Sequence, residues 1–205
     1  INMNRSDHIV TIEDPFEFLH ENKKSFVSQR ELGGDTKSWG NALKSVLRED
    51  PNVVYVGEMR DPETMQAALT VAETGHLVFA TLHTNSAAQT MDRIIDVFPQ
   101  NQQAQIRLQL AAVLEGVISQ RLVPAVAGGR VAVTEILTGT PAIRSTIRDG
   151  KTHLLDNIIQ TSLELGMMTL ESALTRAVKE GKISMETATS YAVRPEELGR
   201  LMRLQ

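Results

Sequence analysis

The sequence predicts an α/β fold with a mostly parallel sheet, followed by a β-hairpin and a C-terminal bundle of helices. Three segments indicate the sheet: 8–14, 53–61 and 77–83. Each is a short apolar run that is followed directly by ionisable side chains. Such runs, rich in β-branched residues, are typical of strands buried on both faces of a parallel sheet. Helical patterns follow the later runs, and this alternation of strand and helix favours parallel pairing.

The remaining elements of the first half follow from spacing and from residues that begin or end helices. Apolar side chains recur at helical intervals over 38–49, and Pro51 ends that amphipathic helix. Asp61 is a good N-cap and Pro62 suits the first helical position, so a helix is expected over 63–73. We also predict a strand over 77–82 and helices over 86–97 and 102–120.

The second half begins with a predicted hairpin and continues with helices alone. Strand patterns over 121–126 and 130–137 flank Ala127-Gly128-Gly129, which has the composition of a hairpin turn. The helices expected after it cover 140–150, 154–165, 170–179 and a last short helix that Ser184 caps and Arg194-Pro195 ends. We therefore divide the chain into a core, 1–138, and a helical subdomain, 139–205.

The composition excludes several classes of protein. A net charge of −4 with 22% charged residues argues against a nucleic-acid-binding protein, which normally presents a basic face. The chain has no cysteine, so disulfide scaffolds and cysteine-ligated metal sites are excluded. No apolar run approaches the roughly 20 residues that span a bilayer, and no signal peptide is visible. We expect a cytoplasmic protein without direct membrane insertion.

Ionisable side chains follow the predicted strands at the edge where parallel sheets bind ligands. That edge would hold Glu13, Asp14, Glu58, Arg60 and His83. The second strand is built like a Walker B strand, in which a carboxylate just past the strand serves a nucleotide with its Mg²⁺. The 205 residues contain no G-x-x-x-x-G-K-[ST] phosphate loop. The sequence therefore predicts the part of a nucleotide site that holds the carboxylates, without the phosphate loop.

Two further pairs of residues are candidates for function. His76 and His83 bracket one predicted strand, which separates them by roughly 20 Å at about 3.3 Å per residue, so they are not expected to bind one metal. Arg144 and Arg148 are one helical turn apart and share a face. That arrangement favours contact with a partner over unrelated surface charges.

Four motifs resemble those of the secretion ATPases of type II secretion systems and type IV pili. Thr11–Phe18 is similar to the Asp box of that family, Val56–Asp61 to its Walker B box and Gly75–Thr84 to its His box. Pro141–Arg148 resembles a stretch of the members that retract pili, with Ser145-Thr146 in place of Asn-Leu. The resemblance covers about residues 6 to 190, and the zinc insert with four cysteines of other members is absent.

The resemblance implies a RecA-like phosphate-loop NTPase core over 1–138, with the phosphate loop upstream of residue 1. We expect the chain alone to bind ATP weakly and to hydrolyse almost none. Glu58 would be the general base, Glu13 and Glu58 would hold Mg²⁺ largely through water, and His83 would sense the γ-phosphate. Asp14, Arg60 and His76 are candidates for binding the nucleotide, and His76 is alternatively a structural or subunit-contact residue.

The same resemblance implies a motor that hydrolyses ATP to retract type IV pili during twitching motility. Its partners would be identical subunits in a hexamer and a pilus platform protein of the bacterial inner membrane, at whose cytoplasmic face the motor would work. Arg144 and Arg148 would couple the ring to its partner. Two alternatives remain: a non-catalytic module for ring building and docking, or another type II/IV secretion ATPase. The Ala142–Arg148 stretch and the lack of cysteine argue against the second alternative.

Overall fold

A computed structural model describes residues 1–203 and divides them into two compact units. The first unit contains residues 1–83 and 96–113, and the second contains residues 84–95 and the described residues from 114 onward. The hairpin belongs to the second unit. The division at residue 139, which separates a nucleotide core from a helical subdomain, stays a prediction.

A parallel sheet of four strands forms the centre of the first unit. The strands are β1 (His8–Glu13), β2 (Phe26–Glu31), β3 (Val53–Val56) and β4 (Leu77–Ala80), and their order across the sheet is β2-β1-β3-β4. The expected parallel α/β fold is confirmed, although β4 ends two residues before the predicted end of its strand. β2 was not predicted, because its half-polar sequence lies at the edge of the sheet and lacks a continuous apolar run.

One face of this sheet forms the hydrophobic core of the first unit. The helices that the unit contributes are α1 (Trp39–Val46), α2 (Pro62–Glu73) and α4 (Gln100–Val113). Side chains two residues apart point to the same face of a strand. The buried cluster joins residues of β1, β3, α1 and α2: Val10, Ile12, Val54, Val56, Ala42, Leu43, Val46, Ala68 and Val71.

The hairpin of the second unit is longer than predicted. Its strands are β5 (Gly116–Pro124) and β6 (Arg130–Thr138), and nine residue pairs join them from Gly116↔Thr138 to Pro124↔Arg130. The helix predicted over 102–120 was therefore wrong after Val113, where α4 ends. Val117 and Ile118 are β-branched, and their pairing with Leu137 and Ile136 replaces the helical hydrogen bonds.

The helices of the second unit partly match the predictions. They are α3 (Ala87–Asp96), which ends at the unit boundary, α5 (Pro141–Arg148), α6 (Leu155–Thr161), α7 (Leu170–Lys179), α8 (Met185–Tyr191) and α9 (Pro195–Arg203). The expected helix over 154–165 is interrupted, because Leu163–Leu165 is a separate 3₁₀ turn. The helix that Ser184 caps ends at Tyr191, before Arg194-Pro195, but it is not the last one, since Pro195 occupies the first position of α9, where its missing N–H costs nothing.

The core of the second unit joins the hairpin to α7. Val123 and Val133 are buried against Leu170 and Leu174, and α8 and α9 add Ala188 and Leu198 to the same cluster. None of the helices within residues 1–203 is long and apolar enough to cross a membrane.

Candidate functional site

The carboxyl ends of β1, β3 and β4 lie side by side, because the strand pairing continues past the strands. The Gly57 N–H donates to the Ile12 carbonyl at 2.7 Å, and the Met59 N–H donates to the Thr81 carbonyl at 3.0 Å. The Thr81 hydroxyl also donates to the Gly57 carbonyl. These bonds bring together the segments that carry Glu13, Glu58 and His83, as the sequence predicts for parallel strands.

Gly57 is packed so closely that a side chain at its position would displace its neighbours. A Cβ atom built there would lie 3.1 Å from both the Glu13 Cα and the Ile12 carbonyl oxygen, and 3.6 Å from the Trp39 ring. Two of these neighbours are backbone atoms of a buried strand, which cannot rotate away. The close packing of Gly57 holds β3 against the end of β1, directly before Glu58.

Glu58 accepts from two cationic or polar groups that flank it. Arg60 Nη2 lies 2.6 Å from Glu58 Oε2, and His83 Nε2 lies 3.2 Å from Glu58 Oε1. The hydrogen bond from Arg60, helped by the charges of Arg60 and His83, lowers the pKa of the Glu58 carboxyl below its ordinary value. Glu58 is therefore ionised at neutral pH. The side chains of Arg60 and His83 are 67% and 84% exposed, so both can move when a ligand binds.

Glu13 has a different environment, although it ends the neighbouring strand. Its side chain is buried, and its Oε1 accepts from the Thr11 hydroxyl at 2.6 Å and from the Gln29 amide at 3.1 Å. Thr11 and Gln29 are paired in the β1–β2 register, and Glu13 lies on the same face, two residues after Thr11. Sequence reasoning missed both partners. The spacing of Thr11 and Glu13 was a usable signal, but Gln29 required knowledge of β2.

Tyr55 is a second residue near Glu13 that the sequence did not single out. It pairs with Thr11 in the β1–β3 register and so lies on the same face as Glu13. Burial raises the pKa of the Tyr55 phenol, and the negative charges of Glu13 and Glu17 raise it further. This face of the sheet is therefore acidic around Glu13, in contrast to the apolar face that packs against α1 and α2.

The acidic residues beside Glu13 and Glu58 have separate surroundings. The pKa of the Arg60 guanidinium is raised mainly by its hydrogen bond to Glu58, and the charge of the exposed Asp14 raises it further. Asp61 caps α2, since its Oδ1 accepts from the Thr64 N–H at 2.9 Å. Asp14 thus stays near the candidate site, whereas Asp61 serves the helix that follows it.

His76 does not join this group. It precedes β4, whereas His83 follows that strand, and its Nδ1 lies 2.9 Å from the Thr74 hydroxyl and 3.1 Å from the Val71 carbonyl oxygen. These contacts hold the imidazole at the C-terminal end of α2. The length of β4 separates His76 from His83, as the sequence predicts, and a role of His76 in binding the nucleotide stays a prediction. The structural interpretation of His76 agrees with its position.

Arg144 and Arg148 lie on α5 in the second unit. Arg144 Nη2 lies 2.7 Å from Glu115 Oε1, and its Nε donates to the Gly139 carbonyl at 2.8 Å. Arg148 is half exposed and donates to the Ser145 hydroxyl at 3.2 Å. Ile143 and Ile147 are fully buried on the opposite side, as the helical spacing predicts. The two arginines therefore differ, because Arg144 is paired closely with a carboxylate, whereas the Arg148 side chain is half exposed.

No preformed metal site with three or more ligands exists among residues 1–203. These residues include no group of three or more histidine, aspartate or glutamate side chains arranged to hold a metal ion. Carboxylate oxygens suit Mg²⁺, which usually keeps several waters and binds through one or two carboxylates and substrate phosphates. The donor chemistry of Glu13 and Glu58 therefore fits a hydrated Mg²⁺, but these side chains do not form a complete cage.

The arrangement of strands and ionisable residues has counterparts among known proteins. A sequence model of the family described as type II/IV secretion system protein matches residues 1–129. This chain belongs to that family. The match covers all three strand-end segments of the candidate site.

Several relatives share more than the family motifs. The type IV pilus retraction ATPase PilT of Pseudomonas aeruginosa is 53% identical over 96% of this chain and 57% of its own length. A twitching motility protein of Neisseria gonorrhoeae is 50% identical over 97% of this chain and 53% of its own length. The chain thus spans about half the length of the curated relatives it matches.

Solved structures agree with the fold. The crystal structure of the pilus retraction motor PilT with bound ADP matches with a TM-score of 0.89 at 49% identity, over 97% of this chain and 56% of that one. The ATPase DotB of Legionella pneumophila matches with a TM-score of 0.81 at 28% identity, over 91% of this chain and 52% of that one.

Proposed function

We propose that the protein containing this chain is a motor that hydrolyses ATP to retract type IV pili. The observation that carries the proposal is the contact of Glu58 with His83 at the carboxyl edge of a parallel sheet, in a member of the secretion family. The names of the relatives support the finer assignment, since one is a pilus retraction ATPase and another a twitching motility protein.

Glu58 is the residue proposed to orient the attacking water. Phosphoryl transfer needs little covalent help from the protein, so catalysis consists mainly of positioning and charge stabilisation. The lowered pKa keeps Glu58 ionised at neutral pH, so its carboxylate can accept a hydrogen bond from the attacking water. His83, which already contacts Glu58 and is exposed, is proposed to sense the γ-phosphate. Arg60, paired with Glu58 and also exposed, is proposed to bind the nucleotide.

Mg²⁺ is proposed to enter with the nucleotide and to contact this chain through water. Glu13 and Glu58 would bind its water shell, and Asp14 would add negative charge beside them. Mg²⁺ supplies charge neutralisation at the phosphates. A phosphate loop, which the 205 residues lack, is proposed to come from a segment outside this chain. We therefore expect residues 1–205 alone to bind ATP weakly.

The proposed assembly is a homohexamer at the cytoplasmic face of the bacterial inner membrane, gripping a pilus platform protein. Arg144 and Arg148 are proposed to transmit force to that partner. Their helix is anchored by the buried Ile143 and Ile147, which leaves both arginines on its opposite face.

The test is the Glu58→Gln variant of the full-length protein, assayed for ATP hydrolysis and for ATP binding. The amide cannot act as a base but keeps the size of the side chain. We expect hydrolysis to fall by about 10²- to 10⁴-fold while ATP stays bound. Retention of more than about a tenth of the parental rate would contradict the role of Glu58. A parental protein that binds neither ATP nor a phosphate analogue would instead favour the non-catalytic module.

A further inference from the structure

Gln29 joins the candidate site to the loop after β1 through a single amide group. Its Nε2 donates to Glu13 Oε1 at 3.1 Å and to the Phe18 carbonyl at 2.9 Å. Its Oε1 accepts from the His20 N–H at 2.6 Å. The amide is therefore fixed in orientation, since its nitrogen and its oxygen each have a defined partner.

The Glu13 carboxylate depends on this amide for its orientation. The terminal torsion of a glutamate is broad, so a carboxylate rotates unless its hydrogen bonds hold it. Thr11 and Gln29 both donate to the same oxygen, Oε1, which determines where the second oxygen lies. Burial makes such donors necessary, because a buried carboxylate is costly without them.

The loop depends on Gln29 in turn. Phe18 and Leu19 are 75% and 81% exposed, so burial of these side chains does not anchor the loop. The backbone of residues 18 and 20 is instead held by the two bonds to the Gln29 amide. A displacement of this part of the loop would therefore turn the amide and, with it, the carboxylate.

We propose that Gln29 is the positioning residue of Glu13, holding the rotation of its carboxylate and linking that rotation to the backbone of residues 18–20. Gln29 contacts no reactant and acts through Glu13. The proposal rests on the proposed function, in which Glu13 serves the hydrated Mg²⁺ of the bound nucleotide.

Two substitutions in the full-length protein separate positioning from simple anchoring of the loop. Gln29→Leu removes the donor and the acceptor at similar volume. Gln29→Glu keeps an acceptor for the His20 N–H but removes the donor and adds a second negative charge beside Glu13. Positioning predicts that kcat falls by about 10- to 100-fold in Gln29→Leu, the size typical for partners that orient a ligand, and further in Gln29→Glu. Loop anchoring predicts the opposite order, because only the glutamate keeps the bond to His20.

The matched control is Gln103→Leu. Gln103 is also in the first unit, and its Nε2 donates to the Phe98 carbonyl at 3.1 Å, but the bond has no link to Glu13. We expect its kcat and KM to match those of the parent. We expect the KM for ATP to change less than kcat in both Gln29 variants, since the residue orients a group without binding the nucleotide.

A crystal structure of Gln29→Leu provides a readout independent of activity. The expected result is a Glu13 carboxylate that is rotated or occupies two positions. In a separate hydrogen-exchange measurement, we expect the His20 amide to exchange faster in Gln29→Leu than in Gln103→Leu. An unchanged, singly occupied carboxylate would overturn the proposal, as would a higher kcat in Gln29→Glu than in Gln29→Leu. A parent without ATPase activity would refute the proposed function, and the orientation of Glu13 in the crystal would still decide the positioning role.

Discussion

His83 Nε2 lies 3.2 Å from Glu58 Oε1, although 25 residues separate the two side chains along the chain. Glu58 follows β3 and His83 follows β4. These strands are adjacent and parallel, with Val56 paired to Ala80, so both segments leave the sheet at the same edge. The bond between the Met59 N–H and the Thr81 carbonyl keeps them together beyond the strands. The contact between Glu58 and His83 thus follows from the register of β3 and β4 and from the backbone bond just beyond them.

Gly57→Ala should damage both stability and hydrolysis in the full-length protein. The new Cβ would lie 3.1 Å from two backbone atoms of β1, so β1 and β3 must separate locally, at a cost of about 1–3 kcal/mol. Glu13 and Glu58 would move apart with them. The control is Gly34→Ala, where the nearest heavy atom is a flexible Glu31 side-chain oxygen at 3.7 Å. Equal thermal midpoints and rates for the two variants would contradict the packing argument.

Replacing both Arg144 and Arg148 by alanine should leave ATPase activity near normal and abolish pilus retraction in cells. Ile143 and Ile147 remain buried, and alanine favours the helix. The lost pair of Arg144 with the exposed Glu115 has little effect on stability. Arg176→Ala provides the control, since Arg176 is an exposed helical arginine with one partner, Glu180, at 3.9 Å. Loss of ATPase activity in the double variant would assign the arginines to catalysis or ring assembly.

Glu171→Ala should destabilise the second unit strongly. Glu171 is fully buried and accepts from the N–H groups of Val193 and Arg194 and from the Arg194 guanidinium. Removing the carboxylate leaves the two backbone N–H groups without their acceptor, which costs about 1–3 kcal/mol for each buried donor, whereas Arg194 keeps its contacts with Asp156 and Glu197. Glu180→Ala, which removes an exposed partner of Lys182, should hardly change the thermal midpoint. A small effect of Glu171→Ala would mean that water replaces the carboxylate.

Glu135→Gln should stabilise the protein more at pH 8 than at pH 4.5. Burial raises the pKa of the Glu135 carboxyl, although the Ala87 N–H, which donates to it at 2.7 Å, opposes the shift. A raised folded-state pKa means that the folded protein holds this proton more tightly, so stability is lost as pH rises through that pKa. Glutamine keeps the acceptor for Ala87 and removes the ionisation. Thermal midpoints of both proteins at the two pH values measure the difference, and a constant difference would contradict the assignment.

The local sequence was sufficient for the strand ends and for most helix caps. The apolar runs before Glu13, Glu58 and His83 are continuous, short and rich in β-branched residues, and each forms a strand of the parallel sheet. Asp61 and Ser184 cap helices as predicted, since capping depends on residues three positions apart. Local signals failed where pairing partners decided the structure, as in β2 and in the first residues of β5.

Local sequence patterns were enough to predict the parallel sheet, its ionisable edge with Glu13, Glu58 and His83, and the buried face of α5, because continuous apolar runs and helical spacing are both visible without the fold. The contact of Arg60 with Glu58 and the bond from Gln29 to Glu13 follow from the tertiary structure alone. These relationships depend on strand register and side-chain direction. Both are set by packing between elements distant in sequence, which no local pattern records.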